Sequence, residues 1–359
     1  MTRPTRWALV GDAQSPHLLK WARALAPRTE LWVASSRGFL PDFNELVPAE
    51  RRLGLNTQPR FEGGNIGLLR QLPRLARWLR QVDADWINPH YLSSHGTLVW
   101  LAQALWGLRG RMLASAWGSD ILVAPQRSLW MAWALRRVLG AAAACTSDSH
   151  HMARAMQALG ARKVEVFPFG LDNLPPTPAA KQPWLCYANR GLEAIYQPQR
   201  VLQWFASLAA QQPDARLVVA NDGALRPGLE QWVAQQGLTG RVRFVGRIEA
   251  DAQHQWYACA QWYISLPQSD SVSVSVLEAM AWGCIPLLSD LPANRELVQH
   301  GGNGLILGVR LDADLPALEA MRARATDIAQ VNRAWVEQEA LFEPCIHRLL
   351  QTLAGPVPA

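Results

Sequence analysis

The chain has 359 residues, 49% hydrophobic and 18% charged; at roughly 150 residues per domain this suggests two domains, and the apolar content excludes disorder. The net charge of +6 is uneven, with 21 Lys and Arg against 12 Asp and Glu in residues 1–172 and 14 against 17 in the rest, so the two halves should have different partners. No apolar run approaches the ~18 residues of a membrane span, and five scattered cysteines without a CxxC pair argue against a disulfide framework or zinc site and for a reducing cytosol.

The N-terminus, MTRPTRWALVGDAQSP, has too short an apolar core for a signal peptide, which favours a cytoplasmic location. Trp7–Val10 reads as a buried strand and Pro16–Ala26 as the helix after it, with proline in its first turn. Leu31–Ala34 is the next strand, followed by Trp86–Asn88, Met112–Ala116, Ala142–Cys145 and Val164–Phe167, each separated by a helical stretch. Between the second and third of these, Gly67–Val82 places Arg70, Arg74, Arg77 and Arg80 on one helical arc and five leucines on the neighbouring arc. That pattern suits a helix with leucines on a sheet and arginines in water, or a surface facing anionic lipid headgroups at the inner face of the plasma membrane. Asp172–Pro183 holds four prolines in twelve residues and reads as a linker. The alternation then restarts at Leu185–Tyr187, Leu217–Ala220, Val242–Val245, Trp262–Ser265 and Ile285–Leu288, and a long helical stretch runs from about Gln330 to Leu353. Strands spaced by helices in this way predict two open parallel α/β sheets.

No GxGxxG and no GxxxxGK[ST] occurs, which lowers the odds of a nicotinamide enzyme or a P-loop ATPase. Gly11 after the first strand suits either close approach of a ligand or an ordinary turn. The Asp83/Asp85 and Asp312/Asp314 pairs offer too few ligands for a hard cation, and no metal is expected. The densest segment is Ser265–Gly304, where a polar loop with Asp270 runs through SVSVSV into LEAMAWGCIP. A helix starting near Val276 would present free N–H groups and a positive dipole end, an anion site at Ser273, Val274, Ser275, Val276 and Leu277. Periodicity alone favours a half-buried strand there, valines in and serines out.

This segment resembles the signature of retaining glycosyltransferases of the GT-B fold, specifically glycosyltransferase family 4 of the bacterial group-1 type. Members show an acidic residue, seven intervening residues, then Glu in a Leu-Glu-Ala-Met-Ala-x-Gly-x-Pro stretch, matched here by Asp270 and Glu278. The resemblance implies two Rossmann-like domains facing a cleft: an acceptor domain over 1–172, a hinge over 173–183 and a nucleotide-sugar domain over 184–340, with a C-terminal helix from about 341 packing back on the first. It implies that Glu278 holds the ribose and Asp270 the donor sugar, both catalytic candidates. Arg190 falls where members grip the diphosphate, by a guanidinium fork suited to phosphate. The Lys usual five or six residues later is replaced by Ile195 and Tyr196, so Gly246–Arg247 is the candidate for the remaining charge, or else Arg247 is a surface residue. In the first domain Trp117 replaces a common His, and Asp120 is the candidate to position the acceptor hydroxyl, with helix capping as its alternative. His17, His90 and Tyr91 follow strands and are candidate acceptor contacts, or solvated loop residues.

The expected function is transfer of a sugar from a UDP- or GDP-linked donor to a glycan, lipid-linked or other hydroxyl acceptor, with retention and without metal or cofactor, in bacterial polysaccharide or glycoconjugate synthesis. The alternative is a sugar-nucleotide-binding protein that has lost catalysis. A nucleic-acid partner is not expected, since no interleaved aromatic motif accompanies the basic half.

Overall fold

The computed structural model describes residues 3–57, 66–176, 180–310 and 312–354. The chain divides into two compact units, one formed by Met1–Phe167 with Phe342–Ala359 and the other by Pro168–Leu341.

The first unit is a seven-stranded parallel sheet of β1 (Arg6–Gly11), β2 (Glu30–Ser35), β3 (Arg52–Gly54), β4 (Trp86–Pro89), β5 (Arg111–Ser115), β6 (Ala144–Ser147) and β7 (Val164–Val166). Its order is β3-β2-β1-β4-β5-β6-β7, so the direction of winding reverses between β1 and β4. The apolar runs read from the sequence form the centre: Ala8, Val10, Ile87, Met112 and Ala114 are buried in one core with Leu75, Leu79, Leu98, Val138 and Met152 from helices on one face. β3, only three residues long, carries too short a pattern to be read in advance.

The basic helix is shorter than its periodicity suggests. It spans Leu72–Val82 with Pro73 in the first turn, where a missing N–H costs nothing; Ile66–Leu69 is a separate turn, and Arg70 lies between the two. Leu75 and Leu79 are buried while Arg74, Arg77 and Arg80 are exposed.

The second unit holds β8 (Gln182–Ala188), β9 (Arg216–Ala220), β10 (Val242–Gly246), β11 (Ala260–Ser265), β12 (Ile285–Ser289) and β13 (Leu305–Leu307), in the order β10-β9-β8-β11-β12-β13 and again all parallel. The winding reverses between β8 and β11. One departure from the sequence reading occurs here. SVSVSV is no strand: Ser271–Ser273 is loop, and a helix covers Val274–Ala281. Pro286 lies within β12, and its carbonyl would meet a Cβ on Gly304 at 2.6 Å, so that glycine fits by close approach.

Pro175, Pro176 and Pro183 belong to the second unit, where Arg333 donates to the carbonyls of the first two; residues 177–179 fall outside the described set. The long C-terminal helix expected from Gln330 is broken. One helix ends at Glu339, and a second, Phe342–Ala354, begins after Ala340 and Leu341. Ala340 accepts the Leu171 amide, and a Cβ on Gly170 would lie 1.8 Å from the Ala340 carbonyl oxygen, so the two passing segments touch backbone to backbone. Phe342–Ala354 packs on Pro16–Leu25 in the first unit, with Phe342 edge-on to Trp21 at 5.4 Å and Arg28 paired to Glu343 at 2.7 Å.

Candidate functional site

In open parallel α/β sheets, ligands bind beyond the carboxyl ends of the strands where winding reverses. In the second unit that place lies beyond β8 and β11, and the sequence-derived residues converge there. Arg190 follows β8. Its guanidinium donates to Asp270 at 2.7 Å, to the Ser273 hydroxyl and, at 3.5 Å, to Ser275. Ser273 is the N-cap of Val274–Ala281, yet its side chain makes no cap hydrogen bond, because it faces the arginine instead. Arg190 and Asp270 are largely buried, at 17% and 23% side-chain exposure. Burial pushes the Asp270 carboxyl above its ordinary value, and Arg190 only partly offsets this. The fork, two hydroxyls and a helix start thus face one spot, an arrangement that fits an anion with several oxygens.

The helix start narrows the donor set. The amides of Val276 and Leu277 donate to the Ser273 carbonyl at 3.0 and 3.2 Å, and both side chains are buried. They are therefore engaged by the helix, which leaves the first-turn amides of Val274 and Ser275, those without a partner inside a helix.

Glu278, one turn on, accepts from the Tyr257 hydroxyl at 3.0 Å. Tyr257 in turn receives the Asn189 amide at 2.8 Å, and Asn189 Oδ1 accepts from Tyr263 at 2.7 Å. Burial pushes the Tyr257 phenol well up, helped by Tyr263 and Glu278, so it stays a neutral donor that orients the carboxylate. This network was not legible in the sequence, because its members come from the loop after β8, from β11, from the helix Ala250–Cys259 and from the helix Val274–Ala281. Tyr196 was also missed. It occupies a place where a lysine was expected, and the Arg190 guanidinium stacks over its ring at 4.4 Å. Gln268 donates its amide to the Ile195 carbonyl at 2.9 Å, which ties the acidic loop to this segment.

Gly246 ends β10 with a left-handed φ of 70°, which suits glycine, and accepts the Asn221 amide at 2.6 Å. Asn221 also reaches the Asn189 carbonyl, so Gly246 adjoins the network while Arg247 stands exposed beside it.

In the first unit, the candidates collect beyond β1, β4 and β5. A Cβ on Gly11 would meet Leu18 at 2.8 Å and approach His90 at 3.4 Å, so packing accounts for this glycine. His90 is buried. Its Nδ1 accepts the Trp117 indole N–H at 3.1 Å, which leaves Nε2–H to donate to Asn88 Oδ1 at 3.1 Å. Burial, then the neighbouring His95, holds His90 well below the ordinary histidine range. Trp117 is half-buried, and its ring also meets that of His17 at 5.0 Å. Tyr91 takes a left-handed φ of 70° and opens a π-helical turn, Leu92–Gly96; strained residues and π-turns concentrate at functional sites. Its hydroxyl pairs with Ser119 at 2.9 Å.

Asp120 differs from its expected place. It is fully buried, and its two oxygens accept the amides of Leu92 and Trp117 at 2.8 and 2.9 Å. It therefore shapes the loops that carry Tyr91 and Trp117 and presents no surface to a hydroxyl. The Asp-x-Asp pairs are structural: Asp85 binds Arg3 and the Arg6 amide, Asp312 pairs with Arg310, and Asp314 caps a helix. Among the described residues, no three His, Cys, Asp or Glu side chains gather in a metal-binding group.

Two family models match most of this chain: "Glycosyl transferase 4-like" over residues 6–149 and "Glycosyl transferases group 1" over 175–323. The chain belongs to the group-1 glycosyltransferases, and its fold is GT-B. Among solved structures it is similar to Anabaena HepE in complex with UDP, with a TM-score of 0.76 at 17% identity over 98% of this chain and 99% of that one. It is also similar to sucrose-phosphate synthase from Thermosynechococcus elongatus, with a TM-score of 0.75 at 16% identity over 97% and 98%. Among curated proteins it is 27% identical over 134 residues to the GDP-mannose:cellobiosyl-diphosphopolyprenol alpha-mannosyltransferase of Xanthomonas campestris, covering 34% of this chain and 33% of that protein. An uncharacterized glycosyltransferase of Methanocaldococcus jannaschii is 28% identical over 95 residues, covering 26% and 24%. These matches span a third or less of the length of the curated relatives.

Proposed function

We propose that the protein transfers a sugar from a nucleoside-diphosphate donor to an acceptor hydroxyl with retention of configuration. The observation that carries this reading is the Arg190 fork, held against Asp270 and two serines at the start of Val274–Ala281, with Glu278 oriented one turn away. In this reading the second unit binds the donor: Glu278 takes the ribose hydroxyls, Arg190 and the Val274–Ser275 amides the diphosphate, and Asp270 the transferred sugar. Gly246 and Arg247 border the base or add charge. The first unit offers the acceptor His17, Trp117, Tyr91 and the neutral His90. The acceptor oxygen bonds to the anomeric carbon on the face from which the diphosphate leaves. The carbon–oxygen bond to phosphate breaks, and the leaving oxygen takes the acceptor's proton. In this reading Arg190 and the helix start balance that developing negative charge, and the scheme uses no metal.

The acceptor is a glycan or lipid-linked hydroxyl, as in surface polysaccharide assembly. A relative's name specifies a GDP-sugar and solved neighbours hold UDP, so both donor classes belong in the test. Thermal shift with UDP- and GDP-sugars should reveal one stabilising donor, and its slow hydrolysis should persist in EDTA. Strict dependence on added Mg²⁺ would overturn the metal-free scheme, and no shift with any nucleotide sugar would overturn the donor assignment.

A further inference from the structure

The helices Leu72–Val82, Thr97–Trp106 and Leu129–Ala141 cover the same face of the first sheet and share its core. They are tied to one another. Arg80 donates to the Trp106 carbonyl at 3.0 Å, and Trp100 meets Trp133 edge-on at 5.7 Å. None of the three contains an Asp or Glu. Arg74 and Arg77 stand exposed on the first, Arg136 and Arg137 on the third, and Arg109 just after the second.

The third helix adds what its sequence pattern did not reveal. Leu129, Trp130 and Trp133 stand 91%, 57% and 45% exposed at its N-terminal end. Among the 17 tryptophans of the chain, these two alone are exposed, and they lie three positions apart on one helical side. Trp133 is braced by Arg137 over its ring at 5.5 Å. Large aromatic rings bare to water beside guanidinium groups are costly for a freely dissolved protein and match a bilayer interface, where rings sit among headgroups and arginines meet phosphate.

We propose that this face docks on an anionic lipid surface, with Leu129, Trp130 and Trp133 inserted at headgroup level and the arginines paired with lipid phosphates. Charge decides between occupants. A second copy would bring a similar all-basic surface against this one, whereas an anionic bilayer complements it. The inference deepens the proposed function by naming where a lipid-linked acceptor is met, and it rests on that reading only for that purpose.

The test is sedimentation with vesicles of phosphatidylcholine alone and of phosphatidylcholine mixed with phosphatidylglycerol, with donor-induced thermal shift measured on the same samples. The native protein should pellet with the mixed vesicles alone, less so as salt rises. Replacing Trp130 and Trp133 with Ser, or Arg74, Arg77, Arg109 and Arg136 with Gln, should each weaken binding about tenfold or more, leaving the donor shift intact. Pelleting that ignores both lipid charge and these residues overturns the proposal. So does a concentration-dependent dimer that the tryptophan changes dissolve. A protein that binds vesicles but shifts with no nucleotide sugar keeps the docking surface and loses the proposed function instead.

Discussion

At the carboxyl edge of the second sheet, a guanidinium and a carboxylate are held 2.7 Å apart beside two hydroxyls and a helix start. The same edge of the first sheet carries Trp117, His90 and His17 in ring contact, with Tyr91 on a strained backbone. One edge concentrates charge, while on the other burial keeps His90 and His95 neutral. A diphosphate needs fixed positive charge, and a sugar hydroxyl needs a shaped neutral surface. Two sheets of similar winding therefore part company in loop chemistry alone, which is where function resides on such folds.

The largest test of this contrast removes the cation. Arg190→Ala should lower turnover about 10²–10³-fold, the usual loss for a donor aimed at developing charge, and it leaves Asp270 buried without its partner. Arg190→Lys restores charge but not the fork and should fall between. A loss under about tenfold in the alanine variant, measured in steady-state transfer, would mean that the diphosphate does not rely on this side chain.

The two acids should then separate. Glu278→Gln should weaken nucleotide binding by roughly 1.5–3 kcal/mol, the worth of charge-assisted hydrogen bonds. Asp270→Asn should mainly lower turnover, with free nucleotide bound nearly as before. Calorimetric titration with nucleotide, set beside turnover numbers, checks both. Equal effects on affinity with no change in turnover would contradict the division of roles.

The sequence showed the strands of both sheets because their apolar runs are buried on two faces, as parallel strands require. Short β3 and β13 escaped it, as did the break at Ala340, whose carbonyl accepts the amide of Leu171 from far back in the chain, a contact that local propensity does not show. In SVSVSV burial does not follow the alternation, because Ser271, Val272 and Ser273 are all buried while Val274 is half-buried; packing of Val276, Leu277 and Met280 sets a helical period from Val274 onward. Asp270, Glu278 and Arg190 were legible through family resemblance. Tyr196, Tyr257 and Asn189 were not, because a ring beneath an arginine or a tyrosine behind a carboxylate leaves no spacing pattern.

Acid and base should expose the buried groups of the first edge. Burial raises the Asp120 carboxyl from 3.8 to about 6, so the folded state holds its proton more tightly than the unfolded one. Its contribution to stability is present below 3.8 and lost as pH rises through 6. His95 runs the other way. Burial lowers it from 6.5 to about 4, so its contribution is present above 6.5 and lost as pH falls through 4. Between pH 4 and pH 7, the stability of the native protein relative to Asp120→Asn should fall by on the order of 1–3 kcal/mol. Relative to His95→Asn it should rise. Denaturant unfolding at the two pH values reads both, and matching slopes in the two variants would contradict the burial of one group or the other.

The smallest expected effect concerns the residue that stands where a lysine was anticipated. Tyr196 brings no positive charge, but its ring lies under the Arg190 guanidinium at 4.4 Å, and Arg190 is already fixed on its other side by Asp270. Stacking of this kind contributes about 0.5–1 kcal/mol at accessible sites. Tyr196→Leu should therefore raise the donor KM by roughly two- to fivefold and leave turnover nearly unchanged, because the fork keeps its partners and loses only its platform. Tyr196→Phe keeps the ring and should behave as the native protein. Tyr196→Lys distinguishes two accounts of the site. If the diphosphate lacks charge, the lysine should tighten the donor; if Arg190 with the helix start is sufficient, the second cation beside the guanidinium should weaken it by repulsion. The paired geometry of Arg190 and Asp270 favours the weaker donor, and a lysine variant with a lower KM than the native protein would show that the second unit is short of positive charge.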